Sequence, residues 1–210
     1  MQGPILHILQ DPRLGLDVEA SLVVSRIEQY LQLLLKWNQK INLTAEKDPA
    51  EILKKHVFDS LQYVRAIEPG CRMMDIGSGA GFPGILLKII FPQLQLVLLE
   101  SQRKRCSFLE TVVRDLAMEQ VKVFNARAED IPGDQAGPFD VVVFRAVSGV
   151  QQCLNLSTKF LPSGGMVVLK KSPGENQLGS HPEFSLQKEV AITSYHGVVS
   201  SLLVFEKCFT

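Results

Sequence analysis

The sequence predicts an α/β fold in which a mostly parallel sheet ends in an antiparallel hairpin and is preceded by a helical cap. After Gly70, short apolar runs alternate with helical patterns, which is the alternation that βαβ units produce. Near the end of the chain, two β-rich runs over 187–195 and 199–207 are separated by a short turn, as in a hairpin. Before Gly70 the pattern is helical only. We therefore expect a cap over residues 1–68 and a sheet domain over 69–210.

The predicted cap contains two helices behind an irregular lead-in. Residues 1–16 hold two prolines and two glycines and are expected to form no regular element. Apolar residues spaced by three or four then predict an amphipathic helix over 17–38. The second helix is expected to begin after Asp48, since Asp favours the N-cap and the next residue is a proline. Its helical pattern continues to about Ile67.

The sheet domain is predicted from five short apolar runs and three helical patterns between or after them. A segment over 172–184, with several prolines and glycines, is expected to be a mobile loop. The predicted parallel strands are 73–76, 94–100, 121–125, 139–144 and 166–170, and the predicted helices are 83–90, 103–116 and 150–160.

The composition is that of an ordinary globular chain without a charge bias. Its 22 basic residues balance 22 acidic ones, so a polyanionic ligand would have to be bound by a local cluster of cations. The four cysteines are widely spaced and form no Cys-x-x-Cys signature, so no metal site is expected. No apolar run approaches the roughly 20 residues that span a bilayer, and no secretory signal pattern is present. We therefore expect a cytoplasmic protein.

The most informative segment is a Gly-rich run between the first predicted strand and the first helix of the sheet. It reads Asp-Ile-Gly-Ser-Gly-Ala-Gly-Phe-Pro-Gly, beginning at Asp75. Glycine allows positive φ and close approach of a ligand to the backbone, and a helix N-terminus supplies free N–H groups. We therefore expect Asp75, Gly77, Gly79 and Gly81 to bind a cofactor.

Two classes of enzyme fit this run. The six residues from Gly79 to Gly84 match the G-x-G-x-x-G pattern of nicotinamide-dependent oxidoreductases. Three details favour S-adenosylmethionine instead. Asp75 suits a cationic amino group and would repel a pyrophosphate, the glycines already begin at Gly77, and a closing hairpin is unusual for an all-parallel nicotinamide-binding sheet.

Residues at the carboxyl ends of the other predicted strands extend this site. Glu100 ends the second strand, where an acid can accept both hydroxyls of a ribose. Ala128 and Glu129 follow the third strand and are expected beside an adenine, although a solvated acidic turn has the same pattern. Arg145 ends the fourth strand, where it could bind a carboxylate or an RNA phosphate, or form a surface ion pair.

Six motifs between about residues 25 and 171 follow one another in a characteristic order. They are Trp37-Asn38, Ile41-Asn42-Leu43-Thr44, His56 with Asp59-Ser60, the run from Asp75 to Gly84, Leu99-Glu100-Ser101 with Lys104-Arg105, and Arg145-Ala146. Together they resemble the glucose-inhibited division protein B family, the bacterial small-subunit (16S) ribosomal RNA guanine-N7 methyltransferases. The combination is much more specific than the Gly-rich run alone.

The resemblance implies a class I S-adenosylmethionine-dependent methyltransferase with a Rossmann-like sheet. It implies 16S ribosomal RNA or the small ribosomal subunit as the partner, and neither DNA nor a membrane. By position, Gly77 and Phe82 would line the cofactor loop, Glu100 would hold the ribose, and Arg145 would lie at the transferring methyl as the catalytic residue.

An RNA substrate requires local cations, and several stand in the cap and near the expected strand ends. Lys170 ends the last parallel strand but is followed by Lys171, where the family pattern has Gly. A methyltransferase of a small molecule or a protein, an oxidoreductase, and an RNA-binding assembly factor without activity are the alternatives. The residues expected to contact RNA are Lys54, Lys55, His56, Lys104, Arg145 and Lys170.

Overall fold

The computed structural model describes residues 1–17, 19–132, 137–145, 149–171 and 179–208. A single seven-stranded sheet forms its centre. The strands are β1 (Arg72–Ile76), β2 (Gln95–Glu100), β3 (Val121–Asn125), β4 (Val141–Phe144), β5 (Met166–Lys170), β6 (Phe184–Thr193) and β7 (Val199–Lys207).

The strands lie in the order β3-β2-β1-β4-β5-β7-β6. β1 to β5 pair in parallel, and β7 inserts antiparallel between β5 and β6. This arrangement confirms the expected fold, a mostly parallel sheet with a closing hairpin. The strand order reverses beside β1, and open α/β sheets bind ligands outside the carboxyl ends of the strands at such a reversal.

Seven α-helices surround this sheet in the described part of the chain. A π-helical turn, Leu53–Val57, joins α3 to α4, and a 3₁₀ turn, Gln62–Arg65, follows α4. The α-helices are α1 (Gln2–Leu9), α2 (Ala20–Asn38), α3 (Pro49–Ile52), α4 (Phe58–Leu61), α5 (Gly84–Ile90), α6 (Arg103–Asp115) and α7 (Val150–Ser157).

Residues 1–16 were expected to form no regular element, but this expectation is wrong because they contain α1. Ile5, Ile8 and Leu9 are buried on one face of this helix, where they join the core that α2 also lines. Pro4 lies in the first turn, where its missing N–H has no helical partner to lose. The prolines and glycines of this segment therefore limit the helix but do not prevent it.

The start of the second cap helix is confirmed. The Asp48 carboxylate accepts a hydrogen bond from the Ala50 N–H at 3.0 Å, as an N-cap residue does. The helix then widens into the π-helical turn that carries His56. Of the loop expected over 172–184, residues 172–178 lie outside the described residues, and Phe184 already begins β6.

Successive side chains of a strand point to opposite faces of the sheet, and each face packs into its own hydrophobic cluster. Met73 on β1 packs into the larger cluster, with Ile5 of α1, Ile27 of α2 and Leu86 of α5. The neighbouring Met74 packs into the smaller cluster, which includes residues of α7. The cap helices and the sheet thus share one core, and the cap lies against the carboxyl edge of β1 and β4.

Candidate active site

A cleft of about 440 Å³ opens at the carboxyl edge of β1, β2 and β3. Gly77, Glu100, Ala128 and Glu129, all expected at the cofactor site, line it. The parallel register explains why they meet, because the strand ends that carry them stop at the same edge of the sheet. The volume lies within the range of roughly 300–1,000 Å³ that small-molecule sites occupy.

Glu100 is buried at the floor of this cleft and holds the Gly-rich loop. Its Oε2 accepts from the Gly79 N–H at 3.0 Å, and its Oε1 accepts from the Gln102 N–H at 2.7 Å. An ionised carboxylate has about four lone-pair positions, so it can still accept ribose hydroxyls. Glu100 therefore has a structural role that its sequence position did not reveal.

The glycines of the loop serve different purposes. Gly77, Gly79 and Gly81 have φ values of +73°, +57° and +92°, which favour glycine. Only Gly77 is among the residues that line the cleft. At Gly81 an added Cβ would lie 2.5 Å from a side-chain carbon of Ile85, so glycine is required there for packing against α5. The cofactor contacts expected of Gly79 and Gly81 stay predictions.

Asp75 lies beneath the loop and tests whether the site fits the expected cofactor. It is fully buried, and its Oδ2 accepts from the Gly84 N–H at 2.9 Å. Its Oδ1 is buried and has no hydrogen-bond partner among the described residues. Burial raises the pKa of Asp75 to about 7, against the opposing effects of the Gly84 N–H and Arg145. A cationic amino group would supply the missing donor, so Asp75 fits the methionine end of S-adenosylmethionine.

Residues of the cap and the sheet form a polar cluster next to the loop. The His56 ring stacks on Phe82 with 5.1 Å between centroids, and the Arg145 guanidinium lies 5.0 Å from the same ring. His56 Nε2 lies 2.7 Å from a Glu46 carboxylate oxygen and 2.8 Å from the Thr44 hydroxyl. The other ring nitrogen, Nδ1, accepts from the Arg145 guanidinium. This geometry fits neutral His56 with its proton on Nε2.

The charges of the cluster agree with that protonation state. Burial lowers the pKa of His56, and the neighbouring Arg145 charge lowers it further. The hydrogen bond from His56 lowers the pKa of Glu46 to about 2. Glu46, neutral His56 and Arg145 therefore form a chain that carries one negative and one positive charge at its ends.

A second set of contacts fixes the cap to the ends of β4 and β5. Lys170 Nζ lies 2.7 Å from an Asp59 carboxylate oxygen, and Arg145 also donates to the Ser60 hydroxyl at 3.4 Å. The Tyr63 hydroxyl donates to the Phe144 carbonyl at 2.6 Å. The motif residues of the cap thus meet those of the strand ends, although they are far apart in sequence.

Phe82, which is expected to line the cofactor loop, is not among the described residues that line the cleft. It is 6% exposed, and its ring packs between the cap and the loop, edge-on to Tyr30 at 5.7 Å. The Tyr30 hydroxyl donates to the Ala80 carbonyl at 2.7 Å. Phe82 therefore anchors the loop to α2, and its contact with the cofactor stays a prediction.

The cations expected to contact RNA differ in how available they are. Lys54 pairs with Glu51 at 3.2 Å, and Lys55 pairs with Glu46 at 3.3 Å. Lys104 is exposed and forms no ion pair with the described residues. Ion pairs at the surface are weak, so pairing does not prevent Lys54 and Lys55 from contacting RNA, and this expectation stays a prediction.

Some residues of the site were not assigned to it from the sequence. Arg105 and Arg127 line the cleft, and Arg105 Nη1 lies 3.8 Å from Glu100. Arg105 belongs to the Lys104-Arg105 motif, so the sequence carried a signal for it, and the expected RNA contact of Lys104 stays a prediction. Glu46 carries no sequence signal, because its pairing with His56 depends on how the loop after α2 folds back.

The described residues contain neither a metal-binding cluster nor a membrane-spanning helix. No group of His, Cys, Asp and Glu side chains is arranged to hold a metal ion. None of the described helices combines the length and apolarity that crossing a bilayer would require.

Comparison with known proteins identifies the family. The model of the GidB family, described as rRNA small subunit methyltransferase G, matches residues 23–202. Ribosomal RNA small subunit methyltransferase G of Streptococcus pyogenes serotype M4 is 42% identical over 75% of this chain and 69% of its own length. For other S. pyogenes relatives at the same identity, this chain spans 66% of their length, slightly less than two thirds.

Solved structures share the fold. TrmN from Thermus thermophilus superimposes with a TM-score of 0.54 at 20% identity, over 72% of this chain and 48% of TrmN. A mutant of MtNAS in complex with S-adenosylmethionine superimposes with a TM-score of 0.58 at 16% identity, over 98% of this chain and 83% of that one. At these identities the likeness shows the class I methyltransferase fold alone.

The family match covers most of the chain, including the cap from residue 23 onward, the Gly-rich loop and the parallel strands. It confirms the sequence-based expectation of an S-adenosylmethionine-dependent ribosomal RNA methyltransferase and decides against a nicotinamide-dependent oxidoreductase. The chain belongs to the GidB family, the family of rRNA small subunit methyltransferase G.

Proposed function

We propose that this chain transfers a methyl group from S-adenosylmethionine to N7 of a guanine in small-subunit (16S) ribosomal RNA. The observation that carries the proposal is the position of the cofactor cleft beside the polar cluster of Glu46, His56 and Arg145. The cleft suits a nucleoside, because Glu100 lies where it can accept the ribose hydroxyls. The cluster holds the Arg145 cation at the end of β4, the strand next to β1. RNA substrates and the target atom follow from family resemblance.

The residues of the cleft divide the proposed cofactor contacts among them. Glu100 accepts the ribose hydroxyls, and the backbone of Ala128 and the Glu129 carboxylate face the adenine. Asp75 lies buried beneath the loop, outside the residues that line the cleft, and its unpaired Oδ1 is the proposed partner of the amino group. S-adenosylmethionine supplies an electrophilic methyl group on a positively charged sulfur. The protein's contribution is to hold the reacting groups in line and to exclude water.

Guanine N7 suits a site without a general base. N7 carries an in-plane lone pair and no proton at neutral pH, so nothing has to be deprotonated before it accepts a methyl group. Both ring nitrogens of His56 are already engaged, by Glu46 and by Arg145, so His56 is not free to act as a base. Cys153, the cysteine nearest to β4 in sequence, is buried on α7 and is not placed as a nucleophile.

The proposed partner is 16S ribosomal RNA, either naked or in the small ribosomal subunit, and the proposed location is the bacterial cytoplasm. The target guanine must be unpaired or turned out of a helix, because proteins read RNA bases chiefly in single-stranded form. Lys54, Lys55, Lys104 and Lys170 are the proposed cationic contacts outside the cleft, with His56 and Arg145 at its edge. Neither DNA nor a membrane has a part in this proposal.

The test uses the purified protein, deuterium-labelled S-adenosylmethionine and small-subunit RNA from a strain that lacks this activity. Nucleoside mass spectrometry should detect labelled 7-methylguanosine in small-subunit RNA and none in large-subunit RNA treated in parallel. Arg145→Ala should lower the rate by about tenfold or more, as displacement of a positioned group does. Label on an exocyclic amine or a cytosine carbon would contradict the proposed chemistry. Label only on protein or small molecules would show that the substrate is not RNA.

A further inference from the structure

A groove of about 650 Å³ lies between the C-terminal half of α2 and the length of α6, from Lys104 in its first turn to Asp115 at its end. It is separate from the cofactor cleft, since the two share no lining residue. Trp37, Lys36 and Lys40 line it from the end of α2, and Lys104 and Arg114 line it from α6.

The groove contains cations that the protein does not neutralise itself. Lys36, Lys40 and Lys104 are exposed, and none of them forms an ion pair within the described parts of the chain. Asp115 is the acid that lines the groove, and it already pairs with Arg114 at 3.0 Å. In a chain whose formal net charge is zero, three uncompensated lysines in one groove form a local anion-binding surface.

Trp37 adds an aromatic surface to these charges. It is partly buried, contacts Phe108 edge-on at 5.9 Å and also lines the groove. Aromatic side chains beside a cationic groove are the usual means of binding single-stranded nucleic acid, and stacking of a base contributes about 1–3 kcal/mol. The combination favours a nucleic acid over an acidic protein, since binding an acidic protein would need no aromatic ring in the groove.

The first turn of α6 connects the groove to the cofactor cleft. Lys104 lines the groove, and the next residue, Arg105, lines the cleft. Arg105 also donates to the Asn42 carbonyl at 3.4 Å, which fixes this turn against the loop that follows α2. A strand that crosses the start of α6 would therefore contact both places.

We propose that this α2–α6 groove binds the sugar-phosphate backbone of the substrate RNA beside the target nucleotide. Lys36, Lys40 and Lys104 contact phosphates, and Trp37 packs against a base. This inference rests on the proposed function, because it assumes an RNA substrate, and it assigns the main phosphate contacts to the groove and not to the ion-paired Lys54 and Lys55.

The test compares two double variants with equal loss of charge. Lys36→Gln with Lys104→Gln removes one cation from each wall of the groove, whereas Lys122→Gln with Lys188→Gln removes two exposed cations from β3 and β6. Affinity for small-subunit RNA is measured by filter binding over a range of salt concentrations. The slope of log affinity against log salt should become less steep by about 1.4 in the groove variant, at roughly 0.7 per cation for single strands. The control variant should keep the wild-type slope.

A second readout reports on the groove directly, because Trp37 is the one tryptophan of the chain. A short single-stranded oligouridylate should shield Trp37 fluorescence from quenching by acrylamide in the wild type and in the control variant. Circular dichroism checks that both variants are folded.

The proposal fails if the groove and control variants have the same salt slope, or if oligouridylate leaves Trp37 unshielded. If either result is found but the wild-type protein still methylates small-subunit RNA, the groove assignment is wrong and the proposed function is supported. A wild-type protein that neither binds nor methylates RNA would overturn the proposed function, and the groove assignment with it.

Discussion

The side chain of His56 joins the cap to the sheet through its contacts with Arg145, Glu46 and Phe82. Its Nδ1 accepts from Arg145, its Nε2 faces Glu46, and its ring covers Phe82. The imidazole can make both hydrogen bonds only when it is neutral, because a protonated ring has no acceptor left for the guanidinium. The position of Arg145 at the end of β4 therefore depends on the protonation state of His56.

This dependence predicts an acid limit to activity. Because burial and Arg145 depress the pKa of His56, neutral His56 persists below the ordinary value of 6.5. Between the ordinary pKa of 6.5, which holds in the unfolded chain, and the lowered pKa of the folded chain, His56 is protonated only when unfolded. The free energy of unfolding therefore falls as the pH decreases through this window. Turnover should fall at the lower end of it, when His56 protonates and releases Arg145.

The variant His56→Gln tests the acid limit. A glutamine amide can still donate to Glu46 and accept from Arg145, but it does not titrate, so the part of the acid limb of the pH–rate profile below pH 6.5 should weaken. Asp75, whose pKa is raised to about 7, titrates in both proteins, so its share of the acid limb should remain in His56→Gln. An unchanged acid limb in His56→Gln would show that another group causes it.

Two substitutions of Glu100 should differ in their effects on cofactor affinity and on thermal stability. Glu100→Ala leaves the Gly79 and Gln102 N–H groups without their acceptor, so both cofactor affinity and thermal stability should fall. Glu100→Gln keeps one acceptor oxygen, and it should retain more stability while weakening S-adenosylmethionine by about 1.5–3 kcal/mol, the range for a hydrogen bond to a charged group. Calorimetric titration and thermal unfolding measure the two effects. Wild-type affinity in a folded Glu100→Ala would remove Glu100 from the cofactor site.

At the scale of elements, the Gly-rich loop predicts an order of stability among its glycine variants. Gly81→Ala combines positive φ with a contact of 2.5 Å to Ile85, whereas Gly79→Ala has positive φ and no close contact. Left-handed backbone costs an alanine about 1–2 kcal/mol, and overpacking adds about 1–3 kcal/mol. Urea unfolding should therefore show a larger loss for Gly81→Ala. Equal losses would mean that the loop shifts freely to make room.

The strands and helices of the sheet were predictable because each has its own local signal. The runs at 121–125 and 166–170 match β3 and β5 in both bounds, since short apolar segments between turn residues leave little choice. α1 was missed because local prolines and glycines argued against a helix, while burial of Ile5, Ile8 and Leu9 against α2 favours it. Tertiary burial outweighed local preference there.

The site was predictable only in part, for a related reason. Gly77, Glu100, Ala128 and Glu129 share the cleft because each follows or ends a parallel strand, and that position is visible in the sequence. The pairing of His56 with Glu46 and Arg145 depends on how the cap packs over the sheet. No sequence periodicity encodes that packing, so the cluster became visible only in three dimensions.

At the scale of the whole molecule, the shared core predicts that the cap and the sheet unfold together. Ile27 of α2 is fully buried in the cluster that contains Met73 of β1. Ile27→Ala should lower the free energy of unfolding by about 2–5 kcal/mol. Leu22→Ala, on the same helix but with Leu22 53% exposed, is the matched control and should change it little.

Two probes decide whether this unfolding is one transition. Trp37 fluorescence reports on the cap, and far-ultraviolet circular dichroism reports on the whole fold. Their urea midpoints should coincide in the wild type and shift together in Ile27→Ala. Separate midpoints would support independent domains over residues 1–68 and 69–210.

Methylation of guanine N7 in small-subunit RNA is tested most directly by one measurement in cells. A bacterial strain that lacks its own member of this family is complemented with this chain, and its ribosomal RNA is treated with borohydride and then aniline, which cleaves the strand at 7-methylguanosine. We predict that wild-type protein restores a single cleavage in small-subunit RNA, and that Arg145→Ala restores little of it. The absence of cleavage with a well-expressed, folded wild-type protein would contradict the claim.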